Sequence, residues 1–187
     1  RPPGPHARRS AAMGFCIFNS IAVGARHALD ALGFERVVVI DFDVHHGNGT
    51  EEIFADDEKV LMASFFQHPF YPYSGTGNLA KNMVNVPLPA GTKGDVARRV
   101  VDEVWLPRLN EFEPQMIFIS AGFDAHREDD LGQMGLVEAD YTYITERLME
   151  VANEHASGRI VSSLEGGYNL DALGRSVVAH VKALARL

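Results

Sequence analysis

Asp41-Phe42-Asp43-Val44-His45-His46-Gly47 follows directly on the apolar run Val37-Val38-Val39-Ile40. In extended chain, residues two apart face the same side, so Asp43 and His45 can reach one point. A carboxylate oxygen and an imidazole nitrogen are ordinary zinc ligands. A second apolar run, Met116-Ile117-Phe118-Ile119, leads into Ser120-Ala121-Gly122-Phe123-Asp124 and brings another carboxylate. Two aspartates and one histidine leave a tetrahedral ion one open position for water and substrate, which distinguishes a catalytic zinc from a structural one. Taken alone, Asp43 reads equally as a helix cap or loop carboxylate. Asp124 at a second strand end turns the balance toward a metal site. His46 should point away from His45 and serve as a hydrogen-bonding group.

Two further residues could act beside such a site. Leu164-Glu165-Gly166-Gly167-Tyr168-Asn169 follows a third apolar run, and its paired glycines permit a tight turn. Tyr168 would then project an O–H donor able to stabilise a developing oxyanion. By itself it reads as an edge aromatic. His6 sits in Arg1-Pro2-Pro3-Gly4-Pro5-His6-Ala7, where three prolines and a glycine make a stiff loop. A histidine held there can serve as a general base.

The elements that must position these residues are legible as apolar and alternating runs. Strands are expected at Arg36–Phe42, Lys59–Phe65, Met83–Leu88, Gln115–Ala121 and Arg159–Leu164. Helices are expected at Phe18–Leu32, Asp95–Asn110, Glu138–His155 and Asp171–Leu187; in the third, Tyr141, Ile144, Leu148 and Val151 form an apolar stripe. Strands apolar throughout are buried on both faces, so the fold class is α/β, a mostly parallel sheet with helices on both faces. In such sheets ligands sit beyond the carboxyl ends of strands. The stretches after Ile40, Ile119 and Leu164 should therefore share one edge.

The 187 residues suit a single domain, 1–187, long enough to bury a sizeable core. A net charge of −8 argues against a nucleic-acid binder, which needs a basic face. It leaves room for a basic substrate. The one cysteine, Cys16, excludes an intramolecular disulfide and suits a reducing compartment, so a cytoplasmic location is expected. No apolar run approaches a membrane span, and no signal peptide or membrane association is expected. The chain lacks an initiator Met and opens in a loop that already carries chemistry, so an upstream part of the parent protein is expected.

Five stretches together resemble the histone deacetylase family, in its class II and bacterial deacetylase-like branch, from Arg1 to about Arg175. They are Arg-Pro-Pro-Gly-x-His-Ala at the start, Gly14-Phe15-Cys16-x-Phe18-Asn19, Asp41-x-Asp-Val-His-His-Gly-Asn-Gly-Thr50, Ser120-Ala-Gly-Phe-Asp-Ala-His126 and Glu165-Gly-Gly-Tyr-Asn169. The resemblance implies a three-layer arginase/deacetylase-like fold, present here as the C-terminal portion of the catalytic domain. It implies one zinc per chain on Asp43, His45 and Asp124, with Tyr168 polarising the substrate carbonyl and His6 as general base and acid. It places Gly14 and Phe15 on one wall of a tunnel for acyl-lysine and Tyr71 on the other. A structural potassium ion is implied near Asp41, Asp43, His45, Ser64 and Phe65, with Asp41 orienting the site rather than binding zinc. Leu131 stands where polyamine deacetylases carry a glutamate, which favours acetyl-lysine over a charged amine.

Pro5 departs from the family, which carries a first histidine there; proline can neither bond a water nor pair with Asp41. The expected function is zinc-dependent hydrolysis of the acyl amide of acyl-lysine, in a protein, a peptide or a small acetylated amine. The alternatives are a weakened or non-catalytic acyl-lysine binder and an acetylpolyamine amidohydrolase. An arginase-type ureohydrolase would need two bridged manganese ions and more carboxylates than His46-Gly47-Asn48 supplies.

Overall fold

The computed structural model describes residues 3–187, so Arg1 and Pro2 of the proline-rich stretch lie outside the described residues. Among these, five strands form one sheet: β1 (Val37–Asp41), β2 (Val60–Gln67), β3 (Met83–Leu88), β4 (Met116–Ala121) and β5 (Ile160–Leu164). They lie in the order β3-β2-β1-β4-β5, and every neighbouring pair is parallel. The helices are α1 (Ser20–Asp30), α2 (Asn48–Phe54), α3 (Gly94–Val100), α4 (Leu106–Phe112), α5 (Glu138–His155) and α6 (Leu170–Ala185). No helix among the described residues is long and apolar enough to cross a membrane.

The central strand explains the two-sided burial. Val38 and Ile40 of β1 join a core with Trp105, Tyr141 and Leu148, while Val37 and Val39 join a second core with Ile21, Ala25 and Phe54. Alternate side chains thus bury against helices on opposite faces, as a doubly covered parallel sheet requires. Register aligns Asp41 with Ser64 on one side and Ser120 on the other, and Ala121 with Leu164. The polar segments after β1, β4 and β5 therefore leave the sheet at one edge.

Two local features differ from the sequence reading. The helix expected over Asp95–Asn110 is two α-helices joined by a π-helical turn, Val101–Trp105. Pro107 has no N–H to offer the Glu103 carbonyl and its ring crowds that group, which accounts for the opened ladder one turn before it. The short α2 was not expected at all. Its first amides at Gly49 and Thr50 donate to the Pro5 carbonyl at 2.9 and 3.1 Å, so it is capped by a loop distant in sequence.

Behind the sheet edge, His180 of α6 is buried between Thr145 of α5 and Ser162 of β5, at 2.7 and 2.9 Å. Thr145 spends its proton on the Tyr141 carbonyl, so it accepts from His180 Nδ1–H, and Nε2 accepts from Ser162. Burial pushes the His180 pKa down to about 4. Above pH 6.5 the ring is neutral in folded and unfolded chain alike. Below it the unfolded state takes up the proton first, so stability falls between pH 6.5 and about 4, by roughly 3 kcal/mol in all. Urea unfolding at several pH values should show this slope, and His180→Gln should flatten it; an unchanged slope would assign the acid sensitivity elsewhere.

Candidate active site

The three acid and histidine ligand candidates meet where the sheet ends. One ligand atom from each of Asp43, His45 and Asp124 lies within 4.8 Å of the others. His45 Nδ1 is 3.0 Å from Asp43 Oδ1 and 3.1 Å from Asp124 Oδ2. The remaining carboxylate oxygens are tied to the backbone. Asp43 Oδ2 accepts from Gly166 N–H at 2.8 Å, and Asp124 Oδ1 from Val44 N–H at 2.8 Å. Gly166 has to be glycine for this approach, since a Cβ there would stand 2.0 Å from Asp124 Oδ2.

Electrostatics mark the cluster as a place for a cation. Burial opposes a charged His45, but hydrogen bonds to Asp124 and Asp43 outweigh it and raise its pKa to about 10. Burial likewise works against ionised Asp43, yet the hydrogen bond and charge of His45 hold it at about 2. Asp124, buried and beside Asp43, rises to about 7. Before any ion binds, a proton on His45 Nδ1 thus lies between two carboxylates, serving as the positive charge they require. An Asp-His-Asp set of this kind fits a divalent metal ion.

Around this centre lies a cavity of about 590 Å³, into which His45 opens from the cluster. His6 and Tyr168 line it together with Gly14, Phe15, Tyr71 and Leu131. His6 is buried, its Nδ1 2.8 Å from Asn48 Oδ1, with its ring edge-on to His45 at 6.0 Å and to Tyr71 at 5.5 Å. Burial lowers its pKa, against the pull of Asp43 and Asn48, and keeps the ring neutral. Gly14, at a φ of 55°, packs so near His6 that a Cβ would lie 2.4 Å from the ring. Phe15 approaches Tyr168 at 6.3 Å across the mouth. Burial and the charges of Asp43 and Asp124 raise the Tyr168 pKa, so the phenol stays a donor.

The second tier is also placed. Asp41 is buried beneath the cluster; its Oδ1 accepts from Asp43 N–H at 3.1 Å, and its Oδ2 has no hydrogen-bond partner among the described residues. Ser64 donates to Asn85 at 3.1 Å, while the Phe65 ring stacks on Trp105 at 5.3 Å in the core. His46 turns away from its neighbour and bonds Ser74 at 2.7 Å and Glu51 at 3.0 Å. Three residues escaped the sequence reading: Phe70, stacked on His45 at 5.3 Å, and the rim residues Asp130 and Gln133. The Pro69 and Pro72 that flank Phe70-Tyr71 were the available signal for a fixed loop there.

With this geometry in view, the sequence matches the histone deacetylase domain over residues 1–184. The chain belongs to the histone deacetylase family. It is 42% identical over 193 residues to histone deacetylase 14, chloroplastic, of Arabidopsis thaliana, covering 98% of this chain and 45% of that protein. It is 42% identical to a probable deacetylase of Archaeoglobus fulgidus, covering 91% of this chain and 49% of that one. The chain thus spans about half the length of these relatives. Among solved structures, the HD domain of HDA15 superposes with a TM-score of 0.90 at 38% identity, covering 98% of this chain and 54% of that one. The α/β fold is accordingly the arginase/deacetylase fold, and the family supports a hydrolase of the deacetylase type.

Proposed function

We propose that the protein hydrolyses the acyl amide of acyl-lysine with one zinc ion per chain, held by Asp43, His45 and Asp124. The observation that carries this is the meeting of that cluster with His6 and Tyr168 around one slot with aromatic walls. When bound there, zinc would lower the pKa of a water and polarise the acyl carbonyl. His6, neutral in its buried setting, accepts a proton from the attacking water and returns one to the leaving amine. Tyr168 donates to the carbonyl oxygen as negative charge develops on it. Gly14, Phe15, Tyr71 and Leu131 form a slot that suits a long thin side chain, and neutral Leu131 favours acyl-lysine, in a protein or peptide, over a polyamine. A small acetylated amine remains within reach of the same slot.

The unpartnered Asp41 Oδ2, beside Ser64 and Phe65 of the next strand, fits the structural potassium ion that the family resemblance implies. We read residues 1–187 as one domain because one sheet joins the elements. A cytoplasmic setting rests on the single, buried, unpaired Cys16. Neither a nucleic acid nor a membrane is among the proposed partners, given a net charge of −8.

The test is hydrolysis of an acetyl-lysine peptide by the protein before and after metal removal. Chelation should abolish turnover and zinc should restore it, with one zinc per chain by elemental analysis. Binding must displace the proton that His45 holds between the two carboxylates, so zinc affinity should rise with pH through neutrality. Calorimetry in buffers of different ionisation heat would show the released proton. Proline at position 5 favours one second reading, a zinc-dependent acyl-lysine binder. Peptide that binds and is never hydrolysed would establish that reading instead.

A further inference from the structure

Asp129 is a buried carboxylate with three donors converging on it, and it lies outside both the metal cluster and the cavity lining. Its Oδ2 accepts from the backbone N–H of Tyr168 at 2.7 Å and of Asn169 at 3.0 Å. Its Oδ1 accepts from the N–H of Leu131 at 2.9 Å. The two segments it joins are about forty residues apart, one the loop after β4 and the other the turn after β5. Both contribute to the slot: Leu131 to its wall and Tyr168 to its reactive end.

We propose that Asp129 is a positioning residue for Tyr168, fixing where the phenol stands relative to the substrate carbonyl. This rests on the acyl-lysine reading above. The physical case starts from the turn itself. Gly166 and Gly167 precede Tyr168, and Gly167 has a φ of 141°, so the backbone leading to the tyrosine has wide freedom of its own. The Tyr168 hydroxyl makes no hydrogen bond within the described residues that would hold it in place, and the residue is 36% exposed. What fixes its Cα is the pair of hydrogen bonds that the Tyr168 and Asn169 amides donate to Asp129, with the Asn169 side chain capping α6 by accepting from Ala172 N–H at 3.0 Å and donating to the Glu128 carbonyl at 2.9 Å. Asp129 accepts on both oxygens, so one side chain ties the Tyr168 turn to the Leu131 segment, which an amide with a single oxygen cannot do in full. A misplacement of about 1 Å can cost on the order of 10²-fold in rate, so a shift of the turn costs turnover without costing metal.

The decisive experiment is a double-mutant cycle on the protein loaded with zinc, assayed with an acetyl-lysine peptide. Asp129→Asn should lower kcat about 10- to 100-fold, in the range seen when groups that orient a metal site are removed, with KM and zinc content nearly unchanged. In a Tyr168→Phe background the same change should cost less than about threefold, because the group it positions has lost its hydroxyl. Equal losses in both backgrounds, or no loss in either, would overturn the proposal. If Asp129→Asn fails to fold, Asp129→Ser, which keeps one acceptor, completes the cycle. A second readout does not need turnover: in protein labelled with fluorotyrosine, the ¹⁹F resonance assigned by its loss in Tyr168→Phe should shift or broaden in Asp129→Asn. An unmoved resonance sinks the positioning role, whereas absence of hydrolysis by the unmodified protein sinks the deacetylase reading and leaves the ¹⁹F result to decide on Asp129.

Discussion

Asp124→Asn is expected to leave a folded chain that takes up no zinc and turns over at least ~10³-fold more slowly. The residue has no exposed surface, and its two oxygens have different duties. Oδ1 accepts from Val44 N–H, which fixes the chain between Asp43 and His45, while Oδ2 faces His45 Nδ1. Asparagine keeps an oxygen for Val44, so the local fold survives. It places an amide nitrogen where a ligand oxygen stood, and an amide N–H₂ cannot bind a cation. Metal-ion catalysis is worth several kcal/mol of transition-state stabilisation, and each 1.36 kcal/mol is a factor of ten. Elemental analysis and peptide turnover, with circular dichroism as the check on folding, measure the two effects together. One zinc per chain with ordinary turnover in this variant would remove Asp124 from the site.

The choice of asparagine rather than alanine matters because the cluster is structural as well as chemical. Asp43 receives the amides of His45 and Gly166, and Asp124 receives that of Val44. Truncating either to alanine would orphan buried N–H groups at about 1–3 kcal/mol each. Loss of activity would then say little about the metal.

The parts of this site that could be read from sequence are those that local geometry dictates. Asp43 and His45 share a side because they are two apart in extended chain. The runs Val37–Ile40 and Met116–Ile119 announce buried parallel strands, and a parallel sheet gathers strand ends at one edge. What escaped depends on partners distant in the chain. Helix α2 begins where the Pro5 carbonyl meets Gly49 and Thr50, and nothing in Asn48–Phe54 shows that cap. Phe70 reads as one more aromatic among prolines until its ring is seen flat on His45. Asp129 looks like a solvated charge in Arg127-Glu128-Asp129-Asp130, and only the return of the chain forty residues later buries it. The sequence shows Pro69 and Pro72 in the loop carrying Phe70 and Tyr71, but not that the peptide bonds before them are cis.

His6→Ala should lower turnover by about 10²–10⁴, the usual worth of a positioned general acid-base, while zinc content stays at that of the unmodified protein. Among the described residues, only His6 and His45 bring imidazoles to the cavity, and His45 belongs to the cluster. With proline at position 5, the proton of the attacking water has one side chain of suitable basicity to go to. Geometry and pKa agree on it. Asn48 holds one ring nitrogen at 2.8 Å, and the Gly14 backbone packs against the ring, so the other nitrogen has a fixed direction. Burial depresses the pKa below the ordinary 6.5, and a nearby zinc would lower it further, so the neutral base prevails at pH 7. Activity should accordingly fall on an acid limb below pH 6.5 as His6 takes up a proton, and kcat/KM measured against pH should lose that limb in His6→Ala. A loss of less than tenfold, with the acid limb intact, would mean that another group carries the proton. In that case Pro5 would mark a genuine change of mechanism within the family, since neither of its usual two histidines would then be doing the transfer.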